Sequence, residues 1–165
     1  MGQKTIHDFT VRTIDGQTKN LADYKGNVLL VVNVASECGY TPQYAGLEEL
    51  NKAYRSKGLR VLGFPANDFG AQEPGTEADI KAFCTKNYGV TFDMFAKVKV
   101  KGDGMEPLFD FLQSKESNPE LGGPIKWNFG KFLIGKNGEI LARFEHKVEP
   151  TSAEVKSAVE KAIAG

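Results

Sequence analysis

The chain has little of what would commit it to a specialised class. It carries two cysteines in 165 residues, Cys38 and Cys84, too few for a disulfide framework. No apolar run approaches the ~18 residues that span a bilayer. Lys plus Arg and Asp plus Glu both number 21, so no net field favours nucleic acid or an anionic membrane. The histidines, His7 and His146, are isolated and lack the spacing of metal ligands. The opening MGQKTIHDFT has no apolar stretch of a signal peptide, and Ile6 stands where a myristoylation signal after Met1-Gly2 needs Ser or Thr. What is left is an expected cytoplasmic protein with no metal, cofactor or stable membrane anchor. In a reducing compartment its thiols are inert filler or reagents rather than staples.

What is present reads as an ordinary globular domain, expected to span residues 1–165. Hydrophobic residues make up 41% and charged residues 25%, enough apolar content for a chain of this length to bury roughly 70% of its unfolded surface. DFTVRTIDGQTKNL predicts a hairpin turning at Asp15-Gly16. NVLLVVNVA, Asn27 to Ala35, is an almost unbroken apolar run and predicts a strand buried on both faces. A helix should follow, capped by Thr41 with Pro42 at its first position, burying Tyr44, Leu47, Leu50 and Tyr54 and ending at Gly58. LRVLGF is the next strand, expected parallel to the first through a right-handed crossover.

After the Gly- and Pro-rich loop PANDFGAQEPG, Thr76 and Asp79 open a second helix with Ile80, Phe83, Cys84 and Tyr88 on one face and Gly89 at its end. MFAKVKV reads as extended, and Pro107 starts a short helix. KFLIGKNGEILARF is a hairpin turning at Asn137-Gly138, and a last helix starts at Thr151 and buries Val155, Val159 and Ile163. This α/β order matches a thioredoxin-like fold with an added N-terminal β-hairpin and extra helical and loop insertions.

The stretch VNVASECGYTPQY, Val32 to Tyr44, puts Cys38 past the carboxyl end of the first core strand and before a helix N-terminus. Ligand crevices form there in open α/β sheets, and free backbone N–H groups and the helix dipole favour a thiolate. A free thiol of pKa ~8.5 is only about 3% ionised at pH 7, so lowering it to ~6 raises the reactive fraction roughly thirty-fold. That gain is too small for an efficient enzyme, which needs neighbours that stabilise the transition state. The plain alternative is a small buried hydrophobe. Thr41 stands where a Cys-x-x-Cys motif would have its second cysteine.

Four collinear motifs, VNVASECGYTPQY, GFPANDFGAQEPG, YGVTFDMFAKVKVKG and WNFGKFLI, together resemble the glutathione peroxidase family over nearly the whole chain. The resemblance implies a thioredoxin-like fold, reduction of hydroperoxides and a reactive tetrad of Cys38, Gln72, Trp127 and Asn128. The amides of Gln72 and Asn128 and the indole N–H of Trp127 are donors suited to a departing oxygen. Read alone, Trp127 could be a core aromatic, Asn128 a turn residue and Gln72 a solvated loop residue. In two-cysteine, thioredoxin-dependent members a resolving cysteine falls in a segment matching Phe83-Cys84, so the resemblance assigns that role to Cys84. By its helical position alone, Cys84 is also consistent with core filler.

Two departures from the family pattern stand out. Ala66 replaces a common cysteine, and Asp68 replaces a common glutamine and adds a negative charge near the crevice. Only ten residues lie between Glu116 and Trp127, so the segment that helps classical members form tetramers is missing and a monomer or weak dimer is expected. The implied partners are a hydroperoxide and thioredoxin, with glutathione as the alternative reductant. A peroxide sensor that relays oxidation to a protein partner, or a binding module with inert thiols, are the competing readings.

Overall fold

The structure, a computed structural model, describes residues 4–165. The expectation about Met1-Gly2 lies outside them. Strand β1 (Thr10–Arg12) pairs antiparallel with β2 (Thr18–Asn20), and Gly16 takes the left-handed conformation that closes the turn. The main sheet contains β3 (Val28–Val34), β4 (Leu59–Pro65), β5 (Asp93–Met94), β6 (Lys131–Ile134) and β7 (Ile140–Phe144), in the order β5-β4-β3-β6-β7. β3 and β4 run parallel, β6 antiparallel to β3, and β7 antiparallel to β6. The unbroken apolar run thus becomes the central strand.

Every residue of β3 is buried, and its side chains alternate between two cores. Val28, Leu30, Val32 and Val34 point into one, formed with helices α1 (Gln43–Tyr54), α2 (Glu77–Tyr88) and α4 (Ala153–Ala164). Leu29 and Val31 point into the other, under the N-terminal hairpin and α3 (Pro107–Gln113). The first core holds Cys38 and Cys84, while the partly buried Trp127 packs against both cores at the end of the sheet. No helix among the described residues is long and apolar enough to cross a membrane.

Three expectations need correction. Thr41 does not cap α1: its hydroxyl accepts the Cys38 N–H at 2.9 Å and donates to the Ala35 carbonyl at 2.8 Å, leaving the cap position to Pro42. At α4 the cap is Ser152, whose hydroxyl accepts the Val155 N–H, rather than Thr151, and Ile163 is only half buried. MFAKVKV contributes only Met94 to a regular strand, then touches the sheet again where Val98 bridges Ala66. The second helix starts as expected, with Thr76 and Asp79 reciprocally capped and Gly89 at φ 57° closing it.

Gly63 lies where β4 meets β5, and a Cβ there would come within 2.7 Å of the Met94 sulfur and 3.1 Å of the Phe92 ring. Gly63→Ala is therefore expected to destabilise by about 1–3 kcal/mol through overpacking. Thermal unfolding checks this, since a melting temperature equal to that of the wild type contradicts so close an approach.

Candidate active site

The three loops that carry the candidate residues converge because of strand pairing. Val34 pairs with Pro65, and the Ala66 N–H donates to the Val34 carbonyl at 3.0 Å, so the Ala66–Gln72 loop leaves the sheet beside the Ala35–Cys38 loop. Lys131 pairs with Val32 across β6, which brings Trp127–Gly130 alongside Asn33–Ala35. The antiparallel placement of β6 against β3, on which convergence depends, is thus realised.

Cys38 is a free thiol, 7% exposed, in the loop that follows β3. Its sulfur accepts the Tyr40 N–H at 3.3 Å, one backbone donor aimed at the atom that must carry negative charge. The Thr41 hydroxyl fixes the loop around it. The Glu37 N–H, one residue before Cys38, donates to the Gln72 carbonyl at 2.9 Å and ties the Gln72 loop to the cysteine loop.

Gln72 follows two consecutive residues in left-handed conformation, Gly70 (φ 70°) and Ala71 (φ 52°). Such strain in a non-glycine residue persists only where the surroundings enforce it. A Cβ at Gly70 would lie 3.2 Å from the Trp127 ring and 3.4 Å from the Gln72 side chain, so the glycine lets those two side chains flank it. The half-buried Trp127 also packs against Phe69 at 5.8 Å between centroids.

Asn128 is fully buried, and its amide donates to the Phe69 carbonyl at 3.3 Å and to Gln72 Oε1 at 3.0 Å. Both of its N–H bonds are therefore committed, contrary to the expectation that Asn128 offers a free donor. Because Gln72 accepts through its oxygen, its own NH₂ group is left to face another partner. Gln72, Trp127 and Asn128 are brought together, and the Glu37–Gln72 bond ties their loop to the one that carries Cys38.

Three residues of this neighbourhood escape the motif reading. Asn33, buried in β3, donates from its side chain to the Trp127 carbonyl at 3.1 Å and accepts the Phe129 N–H at 2.6 Å through its own carbonyl. Lys131, also buried, donates its ammonium to the Phe129 carbonyl at 2.7 Å. Together they pin Phe129 in its left-handed conformation, φ 70°, and fix the turn that presents Trp127 and Asn128. The third is Glu73, a carboxyl only 1% exposed beside Gln72. A polar residue interrupting an apolar strand run is the signal that would have flagged the first two. Asp68 proves to be structural: it accepts the Val100 N–H at 2.7 Å and pairs with Lys99 at 3.4 Å, which ties its charge to the loop rather than to the crevice.

Cys84 occupies the buried face of α2, 2% exposed, and burial pushes its thiol up to about 11. The Tyr44 hydroxyl faces it. Among the described residues no group of His, Cys, Asp and Glu is arranged to hold a metal ion.

A helix-flanked sheet with a cysteine at the end of its central strand defines a thioredoxin-like fold, which wider structural likeness supports. A thiol:disulfide interchange protein of the thioredoxin family from Chlorobium tepidum superposes with a TM-score of 0.67 at 17% identity, covering 99% of this chain and 98% of the other. Closer likeness is more specific. Residues 6–113 match the family described as glutathione peroxidase. A glutathione peroxidase of Lactococcus lactis is 49% identical over 149 residues, 90% of this chain and 94% of that one. The thioredoxin/glutathione peroxidase BtuE of Escherichia coli is 41% identical over 98% of this chain and 99% of that one. The crystal structure of T. cruzi GPX1 superposes with a TM-score of 0.75 at 32% identity, covering 98% of both chains. The chain belongs to the glutathione peroxidase family and is a peroxidase.

Burial also lowers Lys131 from 10.5 to about 8, so the unfolded chain holds that proton more tightly than the folded one. Between those values folding stability gains from rising pH, by up to roughly 1 kcal/mol per pH unit from this group. In urea denaturation series, Lys131→Met is expected to lose that gain relative to wild type. Parallel pH profiles for the two proteins contradict the buried ammonium.

Proposed function

We propose that this peroxidase reduces hydrogen peroxide and organic hydroperoxides through Cys38, that Cys84 resolves the oxidised sulfur, and that thioredoxin reduces the product. The thiolate of Cys38 attacks the outer oxygen of R–O–O–H. The O–O bond breaks, that oxygen stays on sulfur as a sulfenic acid, and the alkoxide or hydroxide leaves and takes up a proton. Gln72 Nε2 and Trp127 Nε1 serve as the donors that stabilise the departing oxygen, in the manner of an oxyanion hole. Asn128 acts through Gln72 by holding its amide oxygen. The observation that carries this reading is the joint tie of Gln72 to Glu37 and to Asn128, which holds one free amide donor beside the cysteine loop.

In the second step the Cys84 sulfur attacks the Cys38 sulfenic acid, the S–O bond breaks, and a disulfide and water result. A thiol raised to about 11 is ionised in only about one molecule in ten thousand at pH 7, and a disulfide needs Cα atoms within about 7 Å. The first demand is met if α2 opens, and a cysteine on the buried face of a capped helix needs the same movement to reach a disulfide partner. Two features favour opening: α2 anchors itself with only Ile80 and Cys84 fully buried, and a cavity of about 530 Å³ lined by Cys84 and Thr85 flanks it. Gly75 and Gly89 are the permissive ends. The described chain acts as one catalytic unit, a monomer or weak dimer in the cytoplasm.

The test is peroxide reduction coupled to thioredoxin, thioredoxin reductase and NADPH. Cys38→Ser is expected to abolish the reaction with peroxide. Cys84→Ser should react once and then stop, with NADPH oxidation at background. Hydrogen exchange of residues 76–88 should rise in the oxidised protein. Sustained turnover of Cys84→Ser with thioredoxin, or turnover of the wild type with glutathione alone, overturns the two-cysteine cycle.

A further inference from the structure

Glu73 is a buried carboxyl that the mechanism above leaves unused. The chain is tied down on either side of it: its own N–H donates to Asn67 Oδ1 at 2.8 Å, and the preceding Gln72 carbonyl accepts from Glu37. Four residues further on α2 begins, so Glu73 lies at the seam between the tetrad loop and the helix that carries Cys84. Its carboxyl lies against Ser36, two residues before Cys38, whose hydroxyl and backbone N–H both favour its charge without reaching full hydrogen-bond geometry, so that Glu73 Oε2 and the Ser36 hydroxyl keep no close partner. Its charge also acts on the Cys84 thiol and on the Tyr44 hydroxyl, which is buried, faces that thiol and has no close oxygen or nitrogen partner. A carboxyl that lies against Ser36 on the Cys38 loop, acts on the Cys84 thiol and makes no ion pair among the described residues has no evident structural reason to be buried.

We propose that Glu73 carries the proton of the resolving step: its carboxylate takes the proton of the Cys84 thiol as that sulfur attacks, and its carboxylic acid returns a proton to the departing hydroxide. The assignment rests on Cys38 and Cys84 having the roles given above. The step balances, since one S–H and one S–O bond break, one S–S bond forms, water leaves and Glu73 ends as it began. It gives the Cys84 thiol a base at the moment α2 begins to open, while that thiol is still close enough to feel the carboxyl. Burial raises Glu73 above the ordinary carboxyl value, towards the range where a base works best near neutrality. Lys97 opposes that shift and Glu37 adds to it, and these two charges with Cys84 and Tyr44 are the titratable groups facing it.

The experiment is rapid mixing with peroxide, following first the oxidation of Cys38 and then disulfide formation by quenched thiol counting. In Glu73→Gln the first phase should match wild type, and the second should slow about a hundredfold at neutral pH, the loss expected for a general base. The pH profile separates this role from a structural one. The wild-type second phase should rise through the carboxyl titration and then level off. The Gln variant, dependent on free thiolate, should climb about tenfold per pH unit. Glu73→Asp, with a shorter reach, should be slowed but keep the wild-type shape, and serves also if the Gln variant folds poorly. Equal second phases, or a slowed Gln variant with an unchanged pH shape, overturn the proposal. If Cys84→Ser still forms a disulfide reducible by thioredoxin, the two-cysteine reading fails instead.

Discussion

The site depends on how Gln72 is held. Its carbonyl is bonded to the main chain beside Cys38, and its side-chain oxygen is bonded to a buried asparagine from a third segment. Either bond alone would leave a loop residue with a mobile amide. Together they fix where the backbone sits and which way the NH₂ group points, as the donor role proposed for Gln72 requires. Preorganisation of this kind matters because donors that need no rearrangement during the reaction stabilise developing charge most effectively. The left-handed residues Gly70, Ala71 and Phe129 mark where the backbone is bent to permit it.

Cys38 and Cys84 then face opposite demands. The first sits at the mouth of a rigid assembly, braced by Thr41, Asn33 and Lys131 through bonds to neighbouring backbone. The second is stored in the hydrophobic interior on a helix with little buried area, where burial suppresses its ionisation. Tyr44 lies between the two regimes, packing edge-on to Phe129 at 5.4 Å and against Tyr88 of α2 at 5.6 Å. Movement of α2 therefore disturbs a ring that also touches the tetrad loop. In the proposed cycle, a buried thiol that ionises poorly would be protected from wasteful oxidation until the helix released it.

Much of this was legible in the sequence because the signals are local. An apolar run of nine residues gave the central strand, Asp15-Gly16 and Asn137-Gly138 marked the hairpins, and the Thr76–Asp79 pair marked the start of α2. The errors arose where a tertiary partner outbid a local preference. Thr41 has the right chemistry for a helix cap, but the Cys38 N–H and Ala35 carbonyl are nearer claims on its hydroxyl. Asn128 was recognised but misjudged, since nothing in Trp-Asn-Phe says that both amide hydrogens face the Gln72 loop 56 residues earlier. Glu73 was invisible for a similar reason, since a charged residue in a Pro/Gly loop normally faces solvent and only the assembled fold encloses it, whereas Lys131 at the head of an apolar strand left a signal that the motifs did not use.

The most direct test of the central claim is a double-mutant cycle on the rate of Cys38 oxidation by hydrogen peroxide, using Gln72→Ala, Asn128→Ala and the pair. If Asn128 works by orienting Gln72, its loss should slow the wild type severalfold or more yet cost almost nothing further once Gln72 is gone. Losses that multiply independently would mean that Asn128 meets the peroxide itself, and the arrangement described here would be wrong.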